Sequence, residues 1–147
     1  MEPNRTALIV DDEPLDLEFL RDVLEDAGFS VLSAGNYDEG VRTFDAAREE
    51  IDLLIVDVSL PGKNGIELAR HLWQIKPGLK LLFASGHVGA EVIRFYGMHT
   101  GDQHFLQKPF SRQELVGRVS EILESPQPSP WTETAGTEEK PEARNRN

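Results

Sequence analysis

The stretch LLIVDVSLPGKNG, from Leu53 to Gly65, decides how this chain is interpreted. Four apolar residues, 53–56, run directly into the carboxylate of Asp57. A Pro-Gly turn and an Asn-Gly pair follow, and both mark a loop. Because a short apolar run bounded by turn residues is typical of a buried strand, the carboxylate stands where that strand leaves the core. Asp57 is therefore either a solvated strand end or a group that binds something cationic.

Short apolar runs and amphipathic stretches alternate on both sides of this stretch. The apolar runs predict strands over 6–10, 30–34, 52–56, 79–84 and 103–107. The helical patterns cover 14–28, 37–50, 65–75, 88–98 and 111–123, of which 88–98 is the weakest and the last begins with a capping box at Ser111 and Glu114. Strands that are apolar almost throughout are typical of a parallel sheet with both faces covered. The pattern predicts an α/β protein of five βα units.

Composition excludes several classes of protein. The 147 residues suit one domain, and a net charge of −11 argues against nucleic-acid binding, which needs Lys and Arg. No apolar run approaches the roughly 20 residues that span a bilayer. The start of the chain is too polar for a signal peptide, and there is no cysteine for a disulfide framework. We expect a soluble cytoplasmic protein without membrane contact.

The last part of the chain differs from the rest. Residues 125–147 contain four prolines and almost nothing apolar except Trp131. Such a segment buries too little surface to offset its ordering entropy, so we expect it to be disordered. The sequence thus predicts one folded domain over 4–124, followed by a Pro- and Glu-rich tail.

Polar side chains follow four of the five predicted strands. The first strand is followed by Asp11, Asp12 and Glu13, and the third by Asp57. The fourth is followed by Ser85 and then Gly86, and the fifth by Lys108 and then Pro109. In a parallel α/β sheet the functional crevice lies at the carboxyl ends of the strands. We therefore expect these side chains to converge at one edge of the sheet.

The residue types in this set indicate a particular chemistry. Clustered carboxylates repel one another unless a cation is present, and oxygen ligands without His or Cys suit Mg2+. Magnesium in turn indicates phosphate, for which Lys108 and the Ser85 hydroxyl are suitable partners. Asp57 is the best candidate for a nucleophile that forms an aspartyl phosphate. Asp12 is then the direct metal ligand, with Asp11 one step further from the metal.

Four motifs in this order resemble the response-regulator receiver domain of two-component signalling. They are DDE after the first strand, D-x-x-x-P-G-x-x-G after the third, Ser-Gly after the fourth and K-P-F after the fifth. The resemblance covers residues 6–124. It implies a flavodoxin-like (βα)5 three-layer sandwich, with a five-stranded parallel sheet in the order 2-1-3-4-5.

The resemblance also implies roles for individual residues. Asp57 would accept a phosphoryl group from a phosphohistidine on a histidine kinase or histidine phosphotransfer protein. Mg2+ would be held by Asp12, Asp57 and the backbone carbonyl of Ser59, with Asp11 nearby. Ser85 and Lys108 match the hydroxyl and the lysine that contact the phosphoryl group in the family. The chain would be a regulatory phosphoacceptor that assists its own phosphorylation and dephosphorylation, and not an enzyme with a separate substrate.

The same resemblance implies a switch. Phe105 matches the aromatic residue that changes rotamer when the Ser85 hydroxyl moves onto the phosphoryl group. Pro109 matches a proline that is usually preceded by a cis peptide, whose cost is small only before proline. The output surface would be the face formed by the predicted helix over 88–98, the fifth strand and the last helix, which would bind a downstream protein.

The sequence leaves the wider role open. One possibility is a stand-alone, chemotaxis-regulator-like receiver, which the initiating methionine and the polar tail favour. Others are a receiver of a hybrid histidine kinase, a pseudo-receiver that binds partners without phosphorylation, and a true phosphatase, for which the chain has no room for a separate substrate pocket. The region of the fifth strand could also support a homodimer. Phe95 and Tyr96 either pack inward or mark a partner surface. His104 has no metal-like spacing to another histidine, so we expect it to be an ordinary surface or interface residue.

Overall fold

The computed structural model describes residues 5–86 and 104–124. The strands are β1 (Thr6–Val10), β2 (Ser30–Ala34), β3 (Ile51–Asp57), β4 (Lys80–Ser85) and β5 (Phe105–Gln107). The helices are α1 (Pro14–Asp26), α2 (Tyr37–Ala46), α3 (Gly65–Ile75) and α4 (Arg112–Glu124). The helix predicted over 88–98 and the segment 125–147 lie outside the described residues, so the predicted domain bounds remain a prediction.

The five strands form one parallel sheet in the order β2-β1-β3-β4-β5. This confirms the predicted fold class and strand order. The chain runs from β1 outward to β2 and then returns across β1 to β3, so the direction of winding reverses at β1. The crevice that such a reversal opens lies between the carboxyl ends of β1 and β3. Asp11 follows β1 directly and Asp57 is the last residue of β3, so both stand at that crevice.

The apolar residues of the strands point alternately to two cores, one on each face of the sheet. In β1, Leu8 and Val10 belong to the core under α2 and α3, whereas Ala7 and Ile9 belong to the core under α1 and α4. Both pairs are fully buried. A strand that is buried on both faces has no polar side, which is why the first, third and fourth predicted strands are apolar almost throughout. The result is the expected three layers of helix, sheet and helix.

One helix boundary is set by a local sequence signal and another by a tertiary contact. At the start of α4, the capping box is present: the Glu114 N–H donates to Ser111 Oγ at 3.0 Å and the Ser111 N–H donates to Glu114 Oε1 at 2.8 Å. At the end of α2, the predicted extension to residue 50 is wrong. The Lys76 ammonium, from the end of α3, donates to the carbonyls of Arg48 and Ile51 at 2.9 and 2.6 Å, which holds this segment as a turn.

Among the helices within residues 5–86 and 104–124, none is both long enough and apolar enough to cross a membrane.

Candidate functional site

The register of the sheet brings two carboxylates together at its carboxyl edge. Val10 pairs with Val56, so the next residues, Asp11 and Asp57, are neighbours across β1 and β3. The Asp11 N–H donates to the Ala34 carbonyl at 3.1 Å, which continues the pairing with β2 and fixes the Asp11 backbone. Both carboxylates are buried, with Asp11 1% and Asp57 7% exposed. Buried carboxylates need a compensating charge, so this edge of the sheet attracts cations.

Asp12 completes an acidic cluster that is open on one side. One carboxylate oxygen from each of Asp11, Asp12 and Asp57 can lie within 4.8 Å of the others, and Asp12 is the exposed member. These oxygens come without histidine or cysteine, which is the donor set that Mg2+ prefers. The residues present therefore fit a hard divalent cation. The exposed carboxylate of Asp12 leaves room for the waters that Mg2+ keeps.

Lys108 neutralises part of this cluster. Its Nζ lies 2.8 Å from Asp11 Oδ2, 3.0 Å from Asp57 Oδ2 and 2.8 Å from Asp16 Oδ2. The backbone N–H of Lys108 donates to the Ser85 carbonyl at 2.7 Å, which fixes the Lys108 backbone beside the end of β4. The peptide bond between Lys108 and Pro109 is cis, as the resemblance implied. The ammonium therefore enters the crevice from the end of β5 and contacts carboxylates from the loop after β1, from α1 and from the end of β3.

The protonation of this site follows from burial and from these contacts. Burial raises the pKa of Asp11. Hydrogen bonds from Lys108 and from the Glu13 N–H lower this pKa, but they do not fully offset the effect of burial. Burial by itself would lower the pKa of Lys108, but its hydrogen bonds to Asp11, Asp16 and Asp57 raise that pKa above the ordinary value. Lys108 is therefore firmly cationic at neutral pH. An added cation would offset the cost of ionising buried Asp11.

The loop after β3 holds the Asp57 carboxylate from its other side. The Ser59 N–H donates to Asp57 Oδ1 at 2.8 Å, while Oδ2 accepts from Lys108. The chain then folds back closely, because the Gly65 N–H donates to the Val58 carbonyl at 2.9 Å. A Cβ at Gly65 would lie 2.0 Å from the Asp57 carbonyl oxygen. Glycine at the start of α3 thus permits the tight turn that fixes Asp57.

Ser85 and Phe105 lie on neighbouring strands next to the crevice. Ser85 is fully buried at the end of β4, and its Oγ has no hydrogen-bond partner within the described residues. Phe105, the first residue of β5, is partly buried and packs against the core under α2 and α3. A buried hydroxyl without a hydrogen-bond partner can donate to a group that enters the crevice. The predicted switch roles of both residues remain predictions.

Sequence reasoning missed Asp16 and misjudged one histidine. Asp16 lies in the first turn of α1 and is the third carboxylate on Lys108. Pro14 at the helix start was a usable signal, because it fixes where the first turn begins and so places Asp16 beside the acidic loop. His104, taken from sequence as an ordinary surface or interface residue, is in fact buried. Glu13 supports the acidic loop through its N–H, which donates to Asp11 Oδ1 at 3.0 Å.

The fold and this site define a class of protein. Residues 7–120 match the family model of the response regulator receiver domain. The chain belongs to this family, whose members are the receiver domains of two-component systems. The resemblance that was based on the four motifs is thereby confirmed.

Individual relatives agree with the family match. The transcriptional regulatory protein CpxR of Escherichia coli is 35% identical over 126 residues, which cover 86% of this chain and 51% of the relative. A response regulator receiver protein of Sinorhizobium medicae has 27% identity and a TM-score of 0.70, with 84% of this chain and 98% of that chain covered. A CheY-like receiver domain protein of Methanospirillum hungatei has 26% identity and a TM-score of 0.72, with coverage of 83% and 95%. This chain spans about half the length of the curated relatives it matches.

Proposed function

We propose that this protein is the phosphoacceptor switch of a two-component or phosphorelay system. Asp57 would take a phosphoryl group from a phosphohistidine on a histidine kinase or a histidine phosphotransfer protein. The observation that carries the proposal is the pairing of a buried carboxylate, Asp57, with the ammonium of Lys108 at 3.0 Å inside an acidic cluster. The carboxylate that would act as the nucleophile, the ammonium that would contact the phosphoryl oxygens and the carboxylates that would hold a metal ion all lie at the carboxyl edge of the sheet.

The transfer follows from the contacts of Asp57. Two hydrogen-bond donors, the Ser59 N–H and the Lys108 ammonium, fix the orientation of the carboxylate before the phosphohistidine arrives. A carboxylate oxygen forms a bond to phosphorus while the phosphorus–nitrogen bond breaks, and the imidazole leaves with the electron pair. Lys108 stays close enough to donate a hydrogen bond to a phosphoryl oxygen. Fixed orientation of this kind supplies much of the rate of a phosphoryl transfer.

We further propose that the site uses Mg2+. Asp12, Asp57 and the backbone carbonyl of Ser59 would hold the ion, with Asp11 nearby. When bound, Mg2+ would neutralise charge on the phosphoryl oxygens. The support from the structure is the set of three carboxylate oxygens within 4.8 Å and the raised pKa of buried Asp11.

The signal would leave the site through Ser85 and Phe105. The Ser85 hydroxyl, which has no hydrogen-bond partner within the described residues, would donate to the phosphoryl group. Phe105 would then turn inward and change the face formed by the segment 88–98, β5 and α4. The Arg118 guanidinium of α4 donates to the Phe105 carbonyl, so β5 and α4 are already linked. Phosphorylation would shift the population between two states of this face, and hydrolysis of the acyl phosphate would restore the first state.

The proposed partners follow from this role. They are a phosphohistidine donor and a downstream protein, both in the cytoplasm. A second copy of this chain is the alternative partner for the output face. The chain would act as a regulatory phosphoacceptor and not as an enzyme with a separate substrate. The matched curated relatives are about twice as long as this chain, so we propose for this chain no activity that belongs to the unmatched half of those relatives. With a net charge of −11, we propose no nucleic-acid contact for the receiver itself.

The test is the intact mass of the protein after incubation with a small phosphodonor, with and without Mg2+. Wild type is expected to gain one phosphoryl group in a Mg2+-dependent reaction, and Asp57→Asn is expected to gain none. Asp38→Asn, at an exposed aspartate in the first turn of α2, is the matched control and should behave as wild type. An equal adduct on Asp57→Asn would contradict the assignment. A folded wild type that takes no phosphate from small donors or from kinases would favour the pseudo-receiver.

A further inference from the structure

Asp16 has no part in the function proposed above, yet its carboxylate lies as close to the Lys108 ammonium as the carboxylate of Asp11 does. Its Oδ2 lies 2.8 Å from Lys108 Nζ, the same distance as for Asp11. The two carboxylates differ in their surroundings, because the Asp16 side chain is 42% exposed and that of Asp11 is 1% exposed. Asp16 also belongs to a different element, the first turn of α1. Lys108 is thus joined to α1 as well as to the acidic cluster.

The contact with Asp16 occupies one of the three hydrogen-bond donors of the Lys108 ammonium. A lysine ammonium has three N–H groups and no acceptor, and Lys108 directs them at three carboxylates: Asp11, Asp16 and Asp57. A phosphoryl group on Asp57 would need at least one of these N–H groups. One existing hydrogen bond must therefore be released, or shared, before Lys108 can serve the phosphoryl group.

Burial indicates which contact is released. If Lys108 left Asp11, this carboxylate, which has almost no solvent access, would keep only the Glu13 N–H at 3.0 Å as a donor among residues 5–86 and 104–124. A buried charge without its partner is costly. If Lys108 left Asp57, it would move away from the group that carries the phosphoryl oxygens. Asp16 is nearly half exposed, so water can replace the ammonium at little cost. The contact with Asp16 is therefore the one that costs least to release.

We propose that Asp16 is a positioning residue that holds Lys108 in the unphosphorylated protein and competes with the phosphoryl group for its ammonium. This inference rests on the proposed function of Asp57. Asp16 then sets how readily Lys108 passes to the phosphoryl group, and release of Asp16 frees the first turn of α1 from the site. The balance between Lys108 bound to Asp16 and Lys108 bound to the phosphoryl group thus depends on a carboxylate that lies outside the acidic cluster.

The test is the affinity for beryllofluoride, a phosphoryl analogue, measured by fluorine NMR at saturating Mg2+. Asp16→Asn keeps the shape of the side chain and removes the competing charge, so it should bind beryllofluoride about two- to fivefold more tightly than wild type, the range for a partly exposed ion pair. Asp16→Glu restores a carboxylate and should return the affinity toward wild type. Glu18→Gln, an exposed position two residues further along α1, removes the same charge and should leave the affinity unchanged.

A second comparison separates competition from simple repulsion between Asp16 and the bound anion. In a Lys108→Ala background, competition predicts that Asp16→Asn no longer changes the affinity, whereas repulsion predicts that the gain remains. Should Lys108→Ala fail to fold or bind too weakly, crystal structures of wild type with and without beryllofluoride decide the question. Competition predicts that the 2.8 Å contact between Lys108 Nζ and Asp16 Oδ2 is broken in the complex, whereas a contact that persists would overturn the inference.

The outcomes distinguish this inference from the function on which it rests. Wild type that binds beryllofluoride, together with Asp16→Asn that binds no more tightly, would overturn the inference and leave the proposed function standing. Wild type that neither binds beryllofluoride nor forms an adduct on Asp57 would overturn the proposed function, and the inference with it.

Discussion

Replacement of Gly65 by alanine should damage both the stability and the chemistry of this protein. The added Cβ would lie 2.0 Å from the Asp57 carbonyl oxygen, 2.8 Å from its carbonyl carbon and 2.9 Å from Val56 Cγ2. Two of these three atoms belong to the backbone, so no side-chain rotation relieves the contact. To reach an ordinary contact of 3.4 Å, the distance to the oxygen must open by about 1.4 Å.

The size of that movement decides the expected effect. Overpacking of a closed core costs about 1–3 kcal/mol and occasionally more, and a backbone contact this short belongs at the upper end. The movement must displace either the end of β3 or the start of α3. Asp57 accepts from Lys108 at 3.0 Å, so a displacement of about 1 Å carries the carboxylate out of hydrogen-bond range. Misplacement of a reacting group by about 1 Å can cost a hundredfold in rate.

Two measurements check this prediction. Urea unfolding followed by circular dichroism should show that Gly65→Ala lowers the free energy of unfolding by about 3 kcal/mol. Intact mass over time should show Mg2+-dependent phosphorylation slowed about a hundredfold in the fraction that remains folded. Gly117→Ala is the matched control, because that glycine lies inside α4 and its added Cβ would meet nothing within 4 Å. It should raise the free energy of unfolding by about 0.5–1 kcal/mol and leave phosphorylation unchanged.

The reasoning would be refuted by a Gly65→Ala protein with wild-type stability and wild-type phosphorylation, in an experiment where Gly117→Ala behaves as expected. Such a result would mean that the start of α3 moves away from Asp57 at no cost, and that the turn does not fix the carboxylate.

Two further predictions concern buried polar groups. Ser85→Ala should leave the free energy of unfolding unchanged or raise it by up to about 1 kcal/mol, because within the described residues no hydrogen bond to Oγ is lost; a urea-unfolding loss above about 1 kcal/mol would show a missed partner. The raised pKa of Asp11 means that its favourable contribution to stability is complete below the unfolded value of 3.8 and is lost as pH rises through the folded pKa. Asp11→Asn has no such titration, so in metal-free buffer its free energy of unfolding relative to wild type should increase from about pH 4 to 7. A difference that stays constant or falls over this range would contradict the burial argument.

The sequence was informative wherever a signal lies in neighbouring residues. A continuous apolar run ended by a carboxylate is a local pattern, and it located β3 and Asp57 correctly. The Ser111–Glu114 box is equally local, because its two hydrogen bonds span one helical turn, and the structure confirms it. Strands buried on both faces required a parallel sheet, and this physical requirement, with the order of the motifs, predicted that Asp11, Asp57 and Lys108 would meet.

The sequence failed where the deciding contact joins distant parts of the chain. The early end of α2 depends on Lys76, which donates to a carbonyl 28 residues earlier, and the α2 pattern itself contains no stop signal there. His104 looked like a surface residue because burial depends on what packs over it, and nearby residues do not report that.

The sequence by itself determined the class of fold, the edge of the sheet at which the chemistry lies and the types of group found there, because periodicity, capping and strand-end polarity are local properties. The tertiary structure alone decided how one ammonium is shared. Lys108 meets Asp16 across 92 residues of sequence and Asp57 across 51, in a geometry that uses all three of its N–H groups. That sharing depends on the register of β1 with β3 and on the position of α1 over the sheet. Such distances are fixed only when both faces of the sheet have packed.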